Sequence, residues 1–419
     1  MTLRRVAALS ILLTAPWTTH AVGQGADLVI DDPSRVGVVA ERLPRISEAV
    51  RRRIEAREIA GAVTLVARHG RIVHFEAQGA LDVQSGAPMT REALFRMAST
   101  TKPVTAAAVV ILIEEGKVRL TDPVSRFIPE FRNPRVAVER DGRVELVPAS
   151  REIQVLDLLT HTSGLLSGGL GQKQLPGDST FPKKGDTLAD YVGRIATAPL
   201  DFEPGSRWAY SPFAGIDTLA RIVEVASERP FDDFLRERLF DPMGMHDTSF
   251  VVRADQAPRY ASLHAREGTE LKKADYSFAF DPPYNSGAAG LISSAADFFR
   301  FAQMLANGGE LEGRRVLSPR GVELLSANHV GDRFQGSLGR PEGMGFGFAV
   351  EVVVDPIRAA TFRGAGSYGW DGAFGTQFWV DPREGIVAVF MVQASGVRPI
   401  QNDFGTAVMQ AVGNLDHPR

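Results

Sequence analysis

Residues 98–116 read Ala-Ser-Thr-Thr-Lys-Pro-Val-Thr-Ala-Ala-Ala-Val-Val-Ile-Leu-Ile-Glu-Glu-Gly, a polar start followed by an alanine-rich apolar run. This pattern predicts a helix that begins near Ser99 and stops at Gly116, because alanine favours helix and glycine commonly follows a helix end. Pro103 fits the first turn, where its missing N–H is tolerated. Ser99 and Lys102 are three residues apart, so their side chains share one face of the helix and can meet.

A serine and a lysine in this arrangement can form a nucleophile and its base. A serine hydroxyl is a weak nucleophile until a base removes its proton, and a lysine acts as that base only if its surroundings hold it neutral. The N–H groups at a helix start favour negative charge, so the N–H of Ser99 can point at a developing oxyanion. Because Ser-x-x-Lys also occurs at ordinary helix starts, the motif needs support from the rest of the chain.

Strand patterns lie on both sides of this helix in the sequence. Two β-rich runs, 62–67 and 72–77, are joined by His69-Gly70, which predicts a hairpin. Further strands are predicted at 346–354, 375–381 and 385–392, and further helices at 43–59 and 400–412. We therefore predict an α/β fold of the α+β type: one antiparallel sheet built from both chain ends, flanked by helices, with a mostly helical region inserted. The predicted domain covers 34–415, with sheet parts at about 34–98 and 315–415 and a helical part at about 99–314.

The first 21 residues have the features of a cleavable signal peptide. Arg4 and Arg5 precede an apolar run at 6–16, and Thr-His-Ala at 19–21 offers small residues at the two positions that a signal peptidase reads. We expect an exported protein, periplasmic or secreted. No later stretch reaches the ~20 uninterrupted apolar residues that a membrane span requires, so none is expected in the mature protein.

The composition excludes several classes of function. Hydrophobic residues make up 44% and charged residues 23% of the chain, with a net charge of −3, so no broad basic surface for nucleic acid is expected. The absence of cysteine excludes disulfides and zinc-thiolate sites, and the eight histidines are scattered singly. No nucleotide-binding glycine motif is present. We predict no cofactor and no metal.

Three further motifs follow the Ser-x-x-Lys helix in order. They are Leu-Leu-Thr-His-Thr-Ser-Gly-Leu at 158–165, Trp-Ala-Tyr-Ser-Pro at 208–212 and Gly-Trp-Asp-Gly-Ala at 369–373. Together the motifs resemble those of the serine β-lactamase and penicillin-binding-protein-like hydrolases, and most of all the carboxylesterases related to class C β-lactamases. The resemblance runs from about residue 62 to 392, and an ordered series of motifs is far more specific than any one of them.

The resemblance implies a role for each of the matching residues. Ser99 becomes the acylated nucleophile, Lys102 its proton acceptor and Tyr210 a second proton-transfer group. Beside a cationic lysine the phenolate of Tyr210 is expected to be favoured. The backbone N–H groups of Ser99 and Ala373 are expected to hold the oxyanion. His161 falls in a segment that is a structural turn near the site in the resembling family.

Two departures from the β-lactamase pattern bear on the substrate. Pro212 stands where β-lactamases carry an asparagine that helps to hold the substrate, and proline has no side-chain donor. Trp370, Asp371 and Gly372 stand where they carry Lys-Thr-Gly, so the cation that attracts a β-lactam carboxylate is missing. These four residues are the predicted substrate-binding residues, although the spacing also permits 367–369 as the matching triplet. Replacing Asp371 with lysine is expected to increase any β-lactam activity.

We therefore predict a serine hydrolase that cleaves carboxylic esters of small molecules through an acyl-serine intermediate. The alternative is a β-lactamase or a D-amino-acid-specific peptidase or carboxypeptidase on the same scaffold. A third possibility is a non-catalytic penicillin-binding protein, but such sensors need a membrane span and a signalling domain. The sequence leaves the natural substrate and the oligomeric state open.

Overall fold

In a computed structural model, the described residues are 28–177, 180–275 and 284–416. The predicted signal peptide, 1–21, lies outside them. The helices are α1 (Pro44–Glu55), α2 (Thr101–Glu114), α3 (Val155–Leu159), α4 (Leu188–Ile195), α5 (Ala214–Ser227), α6 (Phe231–Leu235), α7 (Asp241–Met243), α8 (Ala295–Ala306), α9 (Pro319–Ser326) and α10 (Arg398–Gln410). The strands are β1 (Gly61–Arg68), β2 (Arg71–Asp82), β3 (Ala87–Pro88), β4 (Leu94–Arg96), β5 (Arg135–Arg140), β6 (Arg143–Pro148), β7 (His264–Glu267), β8 (Glu270–Lys273), β9 (Ile292–Ser294), β10 (Glu310–Leu311), β11 (Arg314–Arg315), β12 (Met344–Phe346), β13 (Glu351–Val353), β14 (Tyr368–Asp371), β15 (Gln377–Asp381) and β16 (Ile386–Val392).

The largest sheet in the described part of the chain is built from both ends of the sequence. Its eight strands run in the order β12-β13-β14-β15-β16-β1-β2-β3, and every neighbouring pair is antiparallel. The two ends meet where β1 pairs with β16, from Ala62↔Val392 to Arg68↔Ile386. The predicted fold class is confirmed.

Both faces of this sheet are covered by helices. Along β1, Val63 and Leu65 belong to the core on one face, whereas Ala62 and Val66 belong to the core on the other. Helices α1 and α10 pack together on the second face, and α8 packs against β15 and β16 on the first. Successive side chains of a strand point to opposite faces, so a strand covered on both sides is apolar throughout.

Helix α2 lies at the centre of the inserted helical region. Its residues from Thr101 to Leu112 are all buried, and it packs against α5 and α9. A helix enclosed on all sides shows no polar stripe, which explains its continuous apolar sequence. The 3-10 turn Ala98–Thr100 precedes it and carries Ser99. The enclosed position of α2 fixes this turn beside the sheet.

The structure corrects one predicted strand. Residues 346–354 do not form a single strand but contribute to β12 and β13, which pair with each other across a tight turn. Ala349 adopts a left-handed backbone in that turn, with φ of 55°, so the chain reverses direction inside an apolar run. Within the described ranges, no helix combines the length and apolar character needed to cross a membrane.

Candidate active site

The turn that carries Ser99 is held in place by two neighbours. One is the short two-stranded sheet formed by β4 and β9, and the other is the large sheet, through Thr376. Strand β4 pairs with β9, and Met97 N donates to Leu291 O at 2.8 Å. The carbonyl of Met97 accepts the hydroxyls of Thr100, at 2.8 Å, and of Thr376, at 2.9 Å. Ser99 itself is only partly buried, so its hydroxyl stays accessible at the start of an otherwise enclosed helix.

The structure brings together the three residues that the motifs predict. The Nζ atom of Lys102 lies 3.1 Å from Ser99 Oγ, and the hydroxyl of Tyr210 donates to the same oxygen at 2.8 Å. The Nζ atom also lies 5.3 Å from the centre of the Tyr210 ring. Ser99 Oγ is therefore shared between an amine and a phenol that come from distant parts of the chain.

Lys102 is completely buried, and its amine is held by two backbone carbonyls. Nζ donates to Pro212 O at 2.7 Å and to Ala288 O at 2.8 Å. Burial lowers the pKa of Lys102 to about 7, partly opposed by the charge of Asp217. A neutral amine has two N–H groups, which these carbonyls accept, so its lone pair is left for the Ser99 hydroxyl. The lysine is thus held in the geometry of a base.

The structure corrects the expectation for Tyr210. Burial raises the pKa of its phenol above the ordinary value, and the hydrogen bond to Ser99 opposes this only in part. Desolvation disfavours the phenolate more than a neighbouring lysine favours it, because that lysine is itself readily neutral. Tyr210 is therefore a neutral phenol that donates to Ser99.

His161 holds the segment that carries Tyr210. Its carbonyl accepts the N–H of Ala209 at 3.0 Å, and its ring nitrogen Nδ1 accepts the N–H of Ser211 at 3.3 Å. The imidazole packs against the Tyr210 ring with 4.8 Å between centroids. Burial, together with the charge of Lys102, keeps the pKa of His161 well below its ordinary value. These contacts support the predicted structural turn and place a neutral imidazole behind Tyr210.

An open cavity of about 260 Å³ lies in front of Ser99 and Tyr210. Residues 370–373 line it, together with Leu338, Val397 and Arg398. Of the two triplets that the sequence leaves open, 370–372 faces this cavity. Ser367, from the other triplet, is buried and donates its hydroxyl to Asp381 at 2.9 Å.

The backbone at Gly372 lies very close to the turn that carries Ser99. A Cβ atom at Gly372 would come within 2.4 Å of both Met97 O and Thr376 Oγ1. The N–H of Gly372 donates to Thr376 O at 2.7 Å, which closes a tight turn directly after β14. The exposed Ala373 follows in this turn and borders the same cavity as Ser99. Only glycine permits this approach of the two backbones.

Pro212 and Asp371 have surroundings that the sequence did not predict. The ring of Pro212 is exposed, and its backbone carbonyl accepts the Lys102 amine. Asp371 accepts a hydrogen bond from Arg340 Nη2 at 2.8 Å, and Arg340 also pairs with Glu351, with 2.5 Å between Nε and Oε2. The acid beside Trp370 is therefore not an isolated negative charge.

Several residues of the site escaped the sequence analysis. Arg340 and Arg398 lie outside every motif, and single arginines carry no signal in sequence alone. Thr376 and Asp217 also lie outside the motifs, and both are buried. Thr376 is hydrogen-bonded to Thr100, next to Ser99, and Asp217 is hydrogen-bonded to Ala288, whose carbonyl accepts the Lys102 amine. Within the described ranges, no cluster of His, Asp or Glu could hold a metal ion.

Comparison with known proteins gives the family. The sequence model described as Beta-lactamase matches residues 46–407, most of the chain. The chain belongs to the β-lactamase family. This β-lactamase-family chain is 34% identical over 393 residues to Esterase EstB of Burkholderia gladioli, covering 87% of this chain and 94% of EstB. It is 31% identical to Penicillin-binding protein 4 of Amycolatopsis lactamdurans, covering 76% of this chain and 77% of the relative.

A solved structure shows the same β-lactamase-like fold. The hydrolase EstCE1, described as having promiscuous acyltransferase activity, superposes with a TM-score of 0.74 at 26% identity. The match covers 90% of this chain and 99% of EstCE1. The family and its esterase relatives together support a hydrolase.

Proposed function

We propose that this protein hydrolyses carboxylic esters of small molecules through an acyl intermediate on Ser99. The observation that carries the proposal is the position of Ser99 Oγ, 3.1 Å from Lys102 Nζ and 2.8 Å from the Tyr210 hydroxyl. The similarity to Esterase EstB supports the choice of an ester over other acyl compounds.

Acylation begins with the transfer of the Ser99 proton to neutral Lys102. The oxygen then bonds to the ester carbonyl carbon, and the backbone N–H groups of Ser99 and Ala373 stabilise the resulting oxyanion. The bond to the alcohol oxygen breaks as Tyr210 supplies a proton to it, and Lys102 restores the proton of Tyr210. The acyl group remains on Ser99, and the free alcohol leaves.

Deacylation reverses these steps with water in place of the alcohol. Tyr210 takes a proton from the incoming water and passes its own proton to neutral Lys102, while the water oxygen bonds to the acyl carbon. The bond to Ser99 Oγ breaks, the proton returns to the serine and the acid is released. During acylation a proton thus passes from Lys102 to Tyr210, and during deacylation a proton passes from Tyr210 to Lys102.

The walls of the cavity favour a short or medium acyl ester. Trp370, Leu338 and Val397 supply apolar surface, and a volume of about 260 Å³ suits a small molecule. Asp371 and Arg398 add polar groups at the edge. Trp370, Asp371, Gly372 and the segment at Pro212 are the proposed substrate-binding residues.

A β-lactamase or D-amino-acid peptidase activity is the second candidate. The ion pair between Asp371 and Arg340 favours it, because a paired acid repels a substrate carboxylate less than an isolated one does. The similarity to Penicillin-binding protein 4 also favours it. Against it stands Pro212, which offers no side-chain donor to an amide substrate.

We also propose export, on the strength of the basic and apolar pattern at residues 4–16. N-terminal sequencing of the protein recovered from the periplasm or medium tests this, with a start after residue 21 as the expected result. Recovery of the uncleaved chain from the cytoplasm contradicts it.

The decisive experiment compares hydrolysis of p-nitrophenyl butyrate with that of a chromogenic cephalosporin, using wild type and Ser99→Ala. We expect the ester to dominate and its turnover to vanish in the variant. Preference for the cephalosporin establishes the second candidate instead. Full activity in Ser99→Ala places the nucleophile elsewhere, and binding without turnover of either compound supports a non-catalytic penicillin-binding protein.

A further inference from the structure

Asp217 is a buried acid that the proposed mechanism does not use. It lies in the first turn of α5, is 0% exposed, and accepts three hydrogen bonds. Tyr284 Oη donates to its Oδ2 at 2.9 Å, while Ser286 Oγ at 2.8 Å and the N–H of Ala288 at 2.9 Å donate to its Oδ1. A carboxylate held in this way has a fixed orientation as well as a buried charge.

The same peptide segment connects Asp217 with Lys102. Ala288 donates its N–H to Asp217, and its carbonyl accepts Lys102 Nζ at 2.8 Å. The preceding carbonyl, of Gly287, accepts the hydroxyl of Thr105 on α2 at 2.8 Å. The segment is therefore anchored on one side to α5 and on the other to the helix that carries Lys102.

We propose that Asp217 is a positioning residue for Lys102: it fixes the Ala288 carbonyl that receives the amine, and it supplies the buried negative charge that faces that amine. This inference rests on the proposed function, in which neutral Lys102 takes the Ser99 proton. Asp217 acts through Ala288 and through its charge, and it does not contact the substrate cavity.

In the described part of the chain, two further titratable side chains next to Lys102 are His161 and Tyr210, and both are uncharged. Burial keeps the pKa of His161 far below, and that of Tyr210 above, their ordinary values, so both are neutral near pH 7. Burial lowers the pKa of Lys102, and Asp217 raises it again, to about 7. Conversely, burial raises the pKa of Asp217 to about 6, with Lys102 among the groups that lower it. Asp217 and Lys102 thus each change the pKa of the other.

Removing the charge of Asp217 should change the pKa of Lys102 in a defined direction. Without the negative charge, the Lys102 ammonium loses stabilisation and its pKa falls. The acid limb of the kcat/KM profile, below which protonated Lys102 blocks the reaction, then moves to lower pH. An opposite charge close to a group typically shifts its pKa by about 1 unit or more, so Asp217→Asn is expected to move the limb by about 1 pH unit.

The experiment measures two pH profiles between pH 5 and 9. One is kcat/KM for p-nitrophenyl butyrate, and the other is the rate at which a fluorophosphonate modifies Ser99, forming a P–O bond and releasing fluoride. Asp217→Asn keeps the side-chain shape and an acceptor for Ala288. Tyr284→Phe is the milder second variant: it removes one donor to Asp217, favours the protonated acid, and is expected to shift both limbs in the same direction by less.

Asp297→Asn is the matched control. Asp297 is also a buried acid, and its pKa is raised by burial to about 7, but it accepts the N–H of Asp247 and the hydroxyl of Thr248 at the start of α8, away from Lys102. We expect this variant to lose stability without moving either limb.

The outcomes separate the inference from the proposed function. Shifted limbs in Asp217→Asn or Tyr284→Phe, with an unmoved control, support the role of Asp217. The proposed role of Asp217 is overturned if the wild-type profile has the expected acid limb and neither variant moves it, even if kcat falls. A purely structural role would lower activity without changing the pH at which Lys102 titrates. A wild-type protein that neither hydrolyses the ester nor reacts with the fluorophosphonate overturns the proposed function itself.

Discussion

The side-chain oxygens of Thr100 and Thr376 lie 2.6 Å apart, and both hydroxyls reach the carbonyl of Met97. Thr100 belongs to the turn that carries Ser99, whereas Thr376 belongs to the turn between β14 and β15 that carries Ala373. This contact therefore joins the two backbone segments whose N–H groups are proposed to hold the oxyanion. Their relative position depends on two buried hydroxyls.

Thr376→Val tests that dependence. The substitution keeps the shape of the side chain and removes one of the donors to Met97 O, while the Thr100 hydroxyl still donates to it. We therefore expect a loss of roughly 0.5–1.5 kcal/mol in the free energy of unfolding. We also expect kcat to fall about tenfold, because oxyanion stabilisation depends on the position of both donors. Thr64→Val is the control: Thr64 is buried and bonded to His74 on the sheet, so it should lose stability but keep kcat. Equal kcat values in the two variants would contradict this account.

The rate of ester hydrolysis is expected to depend on pH through Lys102. Burial lowers the pKa of Lys102 to about 7, and only the neutral amine accepts the Ser99 proton. The value of kcat/KM should therefore rise as the pH increases through about 7 and level off above it. Initial rates between pH 5 and 9 measure this, and the apparent value belongs to the coupled Lys102 and Asp217. A flat profile excludes Lys102 as the base.

The same pKa shift predicts a pH-dependent effect on stability. In the unfolded chain a lysine titrates near ~10.4, so between about pH 7 and 10 the unfolded state binds more protons than the folded one and wild-type stability rises with pH. Lys102→Met removes this contribution. Its stability relative to wild type should thus be greatest at or below pH 7 and decline by up to about 1.4 kcal/mol per pH unit above it. Urea unfolding at pH 6, 7.5 and 9 measures the difference, which stays constant if Lys102 remains charged on folding.

His161 is expected to affect the rate by holding Tyr210 in place. His161→Asn removes the ring that accepts Ser211 N–H and packs on Tyr210, while asparagine tolerates the left-handed backbone at this position, where φ is 55°. We expect kcat to fall about tenfold with little change in KM, because a misplaced proton donor impairs the reaction more than binding. His74→Asn, at a buried histidine of β2, provides the comparison. A similar loss of kcat there would argue against a specific role.

The ion pair between Asp371 and Arg340 changes the expected effect of substitutions at Asp371. Lysine there would face the Arg340 guanidinium, so Asp371→Lys should lose stability rather than give a clean test of β-lactam activity. Asp371→Asn removes the charge and keeps an acceptor for Arg340. We expect the ratio of cephalosporin to butyrate-ester hydrolysis to increase a few-fold, measured as kcat/KM. An unchanged ratio shows that charge at this position does not select the substrate.

The parts of the site that were predicted from sequence are those encoded by local spacing or by motifs. The proximity of Ser99 and Lys102 follows from helix geometry, whereas the position of Tyr210 beside them is predicted only by the resemblance to the β-lactamase-like hydrolases. The neutrality of Tyr210 could not be predicted, because its pKa depends on how deeply the surrounding chain buries it. The pairing of Arg340 with Asp371 joins residues in separate elements, and no periodic pattern links them.

In the fold, too, some features were predictable from local sequence and others depend on tertiary packing. The positions of β1 and β16 were predicted well, because a strand that is buried on both faces has a continuous apolar sequence. The separation of β12 from β13 depends on a left-handed Ala349, a residue that by itself gives no turn signal. Local chemistry thus specifies elements, whereas reversals within apolar sequence depend on the tertiary packing around them.

The two carbonyls that hold the Lys102 amine belong to different segments: Pro212 lies just before α5, and Ala288 lies a few residues before β9. The lysine head group consequently links these two segments, in addition to its proposed role as a base. A displacement of either segment would turn the amine lone pair away from Ser99 without touching the serine. Under the proposed mechanism, the reactivity of Ser99 therefore depends on the relative position of these two segments. Substitutions far from the substrate cavity are then expected to lower activity without changing Ser99 itself.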